Sequence, residues 1–254
     1  DVRKYLAEFL MDGRVIDVPY PLRALLVRGI IVPFRGPKSA KTYRAIWSDK
    51  GSPLMHYSVR SAELLKERLG DDYHVELAMR YQSPSIQSAL NKLKAAKVDS
   101  IQVIPLFPQY ASATTGSIHD KVMEIVRTWQ TIPSISFLNS FYDDEGMVKN
   151  FAENGKKYHP ETFDHVLFSF HGLPQRHLRK GDDSKQHCLK VDKCCETITE
   201  NNKFCYSAQC YRTAQLIATE LGIPKEKYTI TFQSYRNQYY LIYIRAVHIG
   251  RTIF

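Results

Sequence analysis

The chain has 254 residues, 44% hydrophobic and 24% charged, the proportions of a soluble globular protein with one large or two modest cores. It has no apolar run of the roughly eighteen residues that a membrane-spanning helix needs, and its opening DVRK suits a helix rather than a signal segment. The formal charge of +9 asks for an acidic partner, but Lys and Arg are scattered without a basic block or nucleic-acid motif, so a solvated basic surface is expected and nucleic acid is not.

Asp1 can cap a first helix, VRKYLAEFLM, that ends near Gly13. Pro21 opens a second, LRALLVRGIIV, stopped by Pro33; a turn carrying Arg35 and Lys38 follows, then a helix from about Pro37. After the Gly51, Ser52, Pro53 punctuation a helix runs to Leu69. From there a βα rhythm takes over. Strands are expected from Tyr73 to Tyr81, Ser100 to Phe107, Ser134 to Ser140, His165 to Phe170 and Tyr228 to Ser234, with helices between them. The first of these helices has Ser83 as cap and Pro84 in its first turn. Alternating strands and helices with short links imply parallel sheets. Beyond Ser234 the chain turns aromatic and β-branched without cap or turn signal, which suits a closing strand pair or an unrelated tail.

The stretch HVLFSFHGLP, from His165 to Pro174, is the centre of the functional reading. Its apolar run suits a strand covered on both faces of a parallel sheet, and Gly172 and Pro174 then turn the chain away. His171 is thereby left at the strand's carboxyl end, where open α/β sheets bind ligands. An imidazole there can accept a proton or handle a metal, or simply cap the strand by hydrogen bonding. Met79, Arg80 and Tyr81 close one expected strand, and Phe107 to Tyr110 close the next. Together these ends suit a flat, anionic, partly apolar ligand, since aromatic faces stack on it and guanidinium groups pair with its carboxylates. Cys188, Cys194, Cys195, Cys205 and Cys210 are the only cysteines and fall in one short segment, which points to a reducing compartment and a thiolate-bound metal or iron-sulfur centre.

The stretches PKSAKTYRAIWSDKGSPL, ELAMRYQSPSI, IPLFPQYASATTGS, FSFHGLP and GDDSKQHC onward to FQS resemble, in order and spacing, the ferrochelatase family, which inserts ferrous iron into protoporphyrin at the end of haem synthesis. The resemblance implies an α/β fold of two doubly wound parallel-sheet domains facing a porphyrin cleft, here residues 1–130 and 131–234, with a cysteine-rich insertion at about 183–210 and a non-matching tail at 235–254. It implies that His171 accepts pyrrole protons or binds the incoming iron, and that Arg35, Met79, Arg80, Tyr81 and Phe107 contact the porphyrin, Arg35 through a propionate. Some members carry a [2Fe-2S] cluster within such an insertion, so four of Cys188, Cys194, Cys195, Cys205 and Cys210 are its expected ligands, with zinc as the runner-up and Cys210 as the candidate spare. The family's opening strand and a carboxylate helix past Ser234 find no match, so low activity, or porphyrin binding without catalysis, stands beside full turnover as an expectation. The same motifs also suit a chelatase for coproporphyrin, a cobalt-inserting chelatase, or an iron-sulfur sensor. The implied partners are protoporphyrin IX and Fe2+, with peripheral membrane contact allowed, as monomer or homodimer, in the bacterial cytoplasm or a mitochondrial matrix.

Overall fold

A computed structural model of the chain describes residues 2–233 and contains two parallel two-stranded sheets flanked by helices. The described residues to Pro105 form one compact unit with Ser112–Leu138, and Leu106–Ala111 form a second with the described residues from Asn139. The expected cap at Asp1 and the chain beyond Gln233 lie outside the described residues.

The first unit opens with α1 (Val2–Met11). After it, α2 (Tyr20–Ala24), a π-helical stretch (Leu25–Ile31) and α3 (Val32–Ile46) run on as one helical path, where the sequence suggested a stop at Pro33 and a turn. The wide turn explains the difference. The Val32 amide reaches back five residues to the Val27 carbonyl, which loosens the spacing that would otherwise press the Pro33 ring against the preceding turn. Pro37 is accommodated within α3, and Gly36 meets Arg3 of α1 so closely that an added Cβ would lie 2.8 Å from its Cγ. Next comes α4 (Pro53–Leu69), capped by Ser52, whose Oγ accepts from the Met55 amide at 3.4 Å, and ended by Gly70 at φ +77°.

Residues 73–81 form no strand. Only a bridge between Met79 and Ser85 marks the place, because among the described residues no strand lies beside this segment to pair with it. The following helix, α5 (Ile86–Ala95), is capped by Ser85 and not by Ser83, the Ser85 Oγ accepting from the Ser88 amide at 3.1 Å. Then β1 (Ser100–Val103), a short π turn (Ser112–Gly116), α6 (Ser117–Val126) and β2 (Ser134–Phe137) build a parallel crossover in register Ser100↔Ser134 to Val103↔Phe137. β1 stops short of Phe107 because Pro105 has no amide to offer a ladder. The core of the unit, Ile86, Leu90, Ile101, Val122, Ile125, Val126 and Trp129, joins α5 and α6 to that sheet.

One carboxylate ties three parts of this unit together. Asp12, just past α1, is only 6% exposed in its side chain and accepts from Arg80 Nη2 at 2.7 Å, from the Tyr81 hydroxyl at 2.9 Å and from the Ser117 hydroxyl. Burial alone would raise its pKa, but hydrogen bonds from Ser117, the Arg14 amide and Tyr81, together with the Arg80 charge, hold it below the ordinary 3.8.

In the second unit α7 (Glu145–Lys156) is capped by Asp144, which accepts from the Met147 amide at 2.8 Å. β3 (Val166–His171), α8 (Gln175–Lys180), a loop holding the cysteines, α9 (Tyr206–Glu220) and β4 (Tyr228–Gln233) follow. β3 and β4 pair in parallel from Val166↔Tyr228 to His171↔Gln233. The inner side of α9, with Cys210, Thr213, Ala214, Ile217 and Ala218, is the most deeply buried part, and α7 packs on it through Val148 and Ala152. Gln209, fully buried, pins residues 106–111 here: its Oε1 accepts from the Tyr110 amide and its Nε2 donates to the Lys203 carbonyl, both at 2.6 Å. β3 itself corrects the expectation of a strand covered on both faces. Val166, Phe168 and Phe170 are half-buried while Leu167, Ser169 and His171 are exposed, since among the described residues β4 is its one partner and a single face is packed.

Removing the Asp12 charge leaves the Arg80 guanidinium uncompensated, so Asp12→Asn is expected to destabilise the first unit by about 3 kcal/mol at neutral pH in chemical denaturation. Because the native carboxyl is depressed, its contribution is complete above the unfolded value of 3.8 and fades as the pH falls through the lower native one. The gap between wild type and variant should therefore close in acid, and a gap independent of pH would refute the assignment.

Candidate active site

His171 is the last residue of β3, inside the ladder and not just past it as the sequence suggested, and its side chain is exposed. The Gly172 amide donates to the Gln233 carbonyl at 2.6 Å, closing the ladder at that point. In a parallel pair this turns the amide of His171 itself to the opposite edge of β3. Tyr206, at the start of α9, has its ring 6.4 Å from that of Phe232 on β4, and burial, with the Cys210 thiol beside it, pushes its phenol up. Beside the histidine, Gln233 Nε2 donates to Ser169 Oγ at 2.6 Å, so a small polar patch surrounds the end of the strand.

In the first unit Arg80 and Tyr81 are adjacent and mutually packed, the guanidinium carbon lying 4.7 Å from the centre of the tyrosine ring. Neither side chain is an idle surface group. Arg80 Nε donates to Ser117 Oγ at 2.6 Å while Nη2 is held by Asp12, and the Tyr81 ring sits edge-on to Tyr5 and Phe9. Burial and the Asp12 carboxylate push the Tyr81 phenol up, so it stays a neutral donor. The turn after it, at Gln82 with φ +64°, is secured by the Gln82 amide donating to Glu8 at 2.8 Å. Met79 is half-buried next to this pair, and Arg35 is exposed on α3 of the same unit. His171 and Phe107 belong to the second unit, where Phe107, 42% exposed, lies within the segment pinned by Gln209.

The cysteines divide four to one. Cys188, Cys194 and Cys205 line one small cavity with Asp182, His187 and Asn202; Cys195 bonds to Cys205, and its Sγ lies 3.7 Å from that of Cys194. Cys210 is fully buried on α9 against Tyr206, and burial pushes its thiol up to about 12. A loop without regular structure needs side chains to close it, and two supply most of the bonds. Asp182 accepts from Ser184, from the Cys188 amide at 2.7 Å and from the His187 amide at 2.9 Å, which pull its carboxyl down to about 2. Asn202 donates to the Cys194 and Thr197 carbonyls at 2.8 Å and accepts from the Thr199 amide at 2.6 Å. Cys205 stands at the N-cap position of α9 without a side-chain cap hydrogen bond; the neighbouring Cys195 thiol lowers its pKa, and Cys195 keeps its proton. The donor chemistry suits a soft metal, although among the described residues no three His, Cys, Asp or Glu side chains stand together in ligating geometry.

Sequence reading missed Asp12, Ser117, Asp182, Gln209 and Tyr206. Asp12 carried a faint signal, an acid between an apolar helix end and a glycine, and Tyr206 a fainter one, an aromatic beside a cysteine at a helix start.

The family model for ferrochelatase matches residues 1–238. The ferrochelatase of Legionella pneumophila (strain Corby) is 44% identical over 234 residues, which are 92% of this chain and 68% of the relative. That of Ectopseudomonas mendocina is 43% identical over 235 residues with the same coverage, and that of Coxiella burnetii (strain Dugway 5J108-111) is 41% identical over 237 residues, 65% of its length. A parallel strand ending in an exposed histidine, an arginine-tyrosine pair after a short bridge and matches of this extent agree: the chain belongs to the ferrochelatase family.

Proposed function

We propose that the chain inserts ferrous iron into protoporphyrin IX to give protohaem, releasing two protons. The single observation that carries this beyond family membership is the exposed imidazole of His171 at the carboxyl end of β3. Iron entry replaces the two pyrrole N–H bonds by Fe–N bonds, so a base must take the protons while the iron gives no electrons and needs none. His171, with a ring lone pair, is that base. Arg35 is the better carboxylate partner, because the Arg80 charge is already compensated by Asp12. Arg80 and Tyr81 instead present a fixed polar-aromatic surface, with Met79 and Phe107 as apolar contacts. The bacterial relatives favour the bacterial cytoplasm over a mitochondrial matrix. In a porphyrin fluorescence assay with Fe(II), wild type is expected to metallate protoporphyrin faster than coproporphyrin, and His171→Ala to lose at least about a hundredfold in kcat. Equal turnover by the two proteins would remove the base, and porphyrin binding with no metallation by wild type would leave only a binding module.

A second reading concerns the cysteine loop: a [2Fe-2S] cluster on Cys188, Cys194, Cys195 and Cys205, with Cys210 set apart by its full burial on α9. Its support is that Cys188, Cys194 and Cys205 line one cavity, with the Cys195 Sγ 3.7 Å from that of Cys194. Protein purified without oxygen should then carry iron and sulfide with visible absorbance, lost in Cys205→Ser and kept in Cys210→Ala; zinc without absorbance would favour a zinc site instead.

Peripheral membrane contact has its own support. Leu22, Leu25, Ile30 and Phe34 are all more than half exposed along the path from α2 to α3, interspersed with Arg23, Arg28 and Arg35. Among the described residues no helix is long and apolar enough to cross a membrane. Sedimentation with anionic vesicles is expected, weakened by Phe34→Asp; no sedimentation would dispose of the contact.

A further inference from the structure

We infer that Glu8 is the positioning residue for the Arg80–Tyr81 pair, holding from α1 the loop that carries it. The inference rests on the reading of Arg80 and Tyr81 as the surface that meets the porphyrin. Among the described residues no strand runs beside this loop, so its shape depends on single hydrogen bonds. Its base is closed by the Met79 amide, which donates to the Pro84 carbonyl at 2.6 Å. Its turn is at Gln82, whose φ of +64° lies in the left-handed region that a residue with a Cβ occupies only when its surroundings hold it there. Glu8 supplies the hold: its carboxylate Oε2 accepts from the Gln82 amide at 2.8 Å. That amide belongs to the planar peptide joining Tyr81 to Gln82, so fixing it also fixes the backbone torsion from which Tyr81 projects. Asp12 grips the tips of the two side chains, at Arg80 Nη2 and the Tyr81 hydroxyl, while Glu8 takes the main chain. The spacing along α1 is that of one helical face. Tyr5, Glu8, Phe9 and, just past the helix end, Asp12 stand at i, i+3, i+4 and i+7, and the rings of Tyr5 and Phe9 lie 6.2 and 5.4 Å from that of Tyr81. One face of α1 and its end thus meet three consecutive residues, the side chains of two and the backbone of the third.

Glu8→Ala removes the acceptor, whereas Glu8→Gln keeps an amide oxygen in its place. Glu8→Ala should speed exchange of the Gln82 amide with solvent at least about tenfold and weaken binding of metal-free protoporphyrin about tenfold in a fluorescence titration, with a melting temperature close to wild type. Glu8→Gln should return both exchange and binding to within about threefold of wild type. Unchanged exchange in Glu8→Ala would overturn the tether, as would unchanged binding despite faster exchange. A loss of binding that comes with a lowered melting temperature and persists in Glu8→Gln would also overturn it, since that marks a general packing defect. Tyr81→Ala separates the two readings: unchanged porphyrin binding there removes the surface, while exchange at Gln82 in Glu8→Ala still judges the tether.

Discussion

The parallel pairing of β3 with β4 is the constraint on which the chemistry depends. With His171 opposite Gln233, the half-buried Phe168 and Phe170 point to the packed face and Ser169 and His171 to the open one. A slip of one residue would exchange the two sets, burying the imidazole and exposing two phenylalanines. The aromatic contacts of Phe232 with Phe170, Tyr206 and Tyr211 resist that slip, because each needs Phe232 on the inner face. Packing of apolar rings thus fixes where a polar one stands.

A different logic governs the first unit, where a charge does what rings do in the second. Asp12 joins the end of α1 to the segment after residue 79 and to the first turn of α6. Arg80 meets this carboxylate with little exposure on either side, so its charge is spent inside the unit. Such pairs are costly to break and contribute modestly when intact. Their use here is geometric: the guanidinium is held over the Tyr81 ring, and the two act as one surface.

Much of this was legible in the sequence, and the failures share a cause. Strands at Ser100–Val103, Ser134–Phe137, Val166–His171 and Tyr228–Gln233 and the helix Tyr206–Glu220 announced themselves by β-branched runs, by helical spacing and by the stop at Gly222. The fold class followed from them, and the family from the resemblance of the motif stretches. Tyr73 to Tyr81 had the same strand-like composition but among the described residues has no neighbour to pair with, and composition cannot reveal a missing partner. Pro33 and Pro37 read as breaks because the rule assumes a regular α-helix, whereas the π-helical stretch changes which carbonyl the proline must avoid. Asp12 meets Arg80 although the two are distant in sequence, and nothing in the sequence announced that pairing.

The cysteine loop and the strand that ends in His171 are distinct elements of the second unit. In this chain they adjoin. Cys205 stands at the N-cap position of α9 and Tyr206 begins it, so the thiol loop leads directly into the helix whose first ring meets Phe232 of β4. Asp182 and Asn202 hold the loop by hydrogen bonds where an apolar core is lacking, which makes the start of α9 a fixed point and not a frayed end. Whatever alters the register of that first turn acts on the Tyr206 ring directly and on β4 at one remove, through a helix that Gln209 and Thr213 lock along the same side.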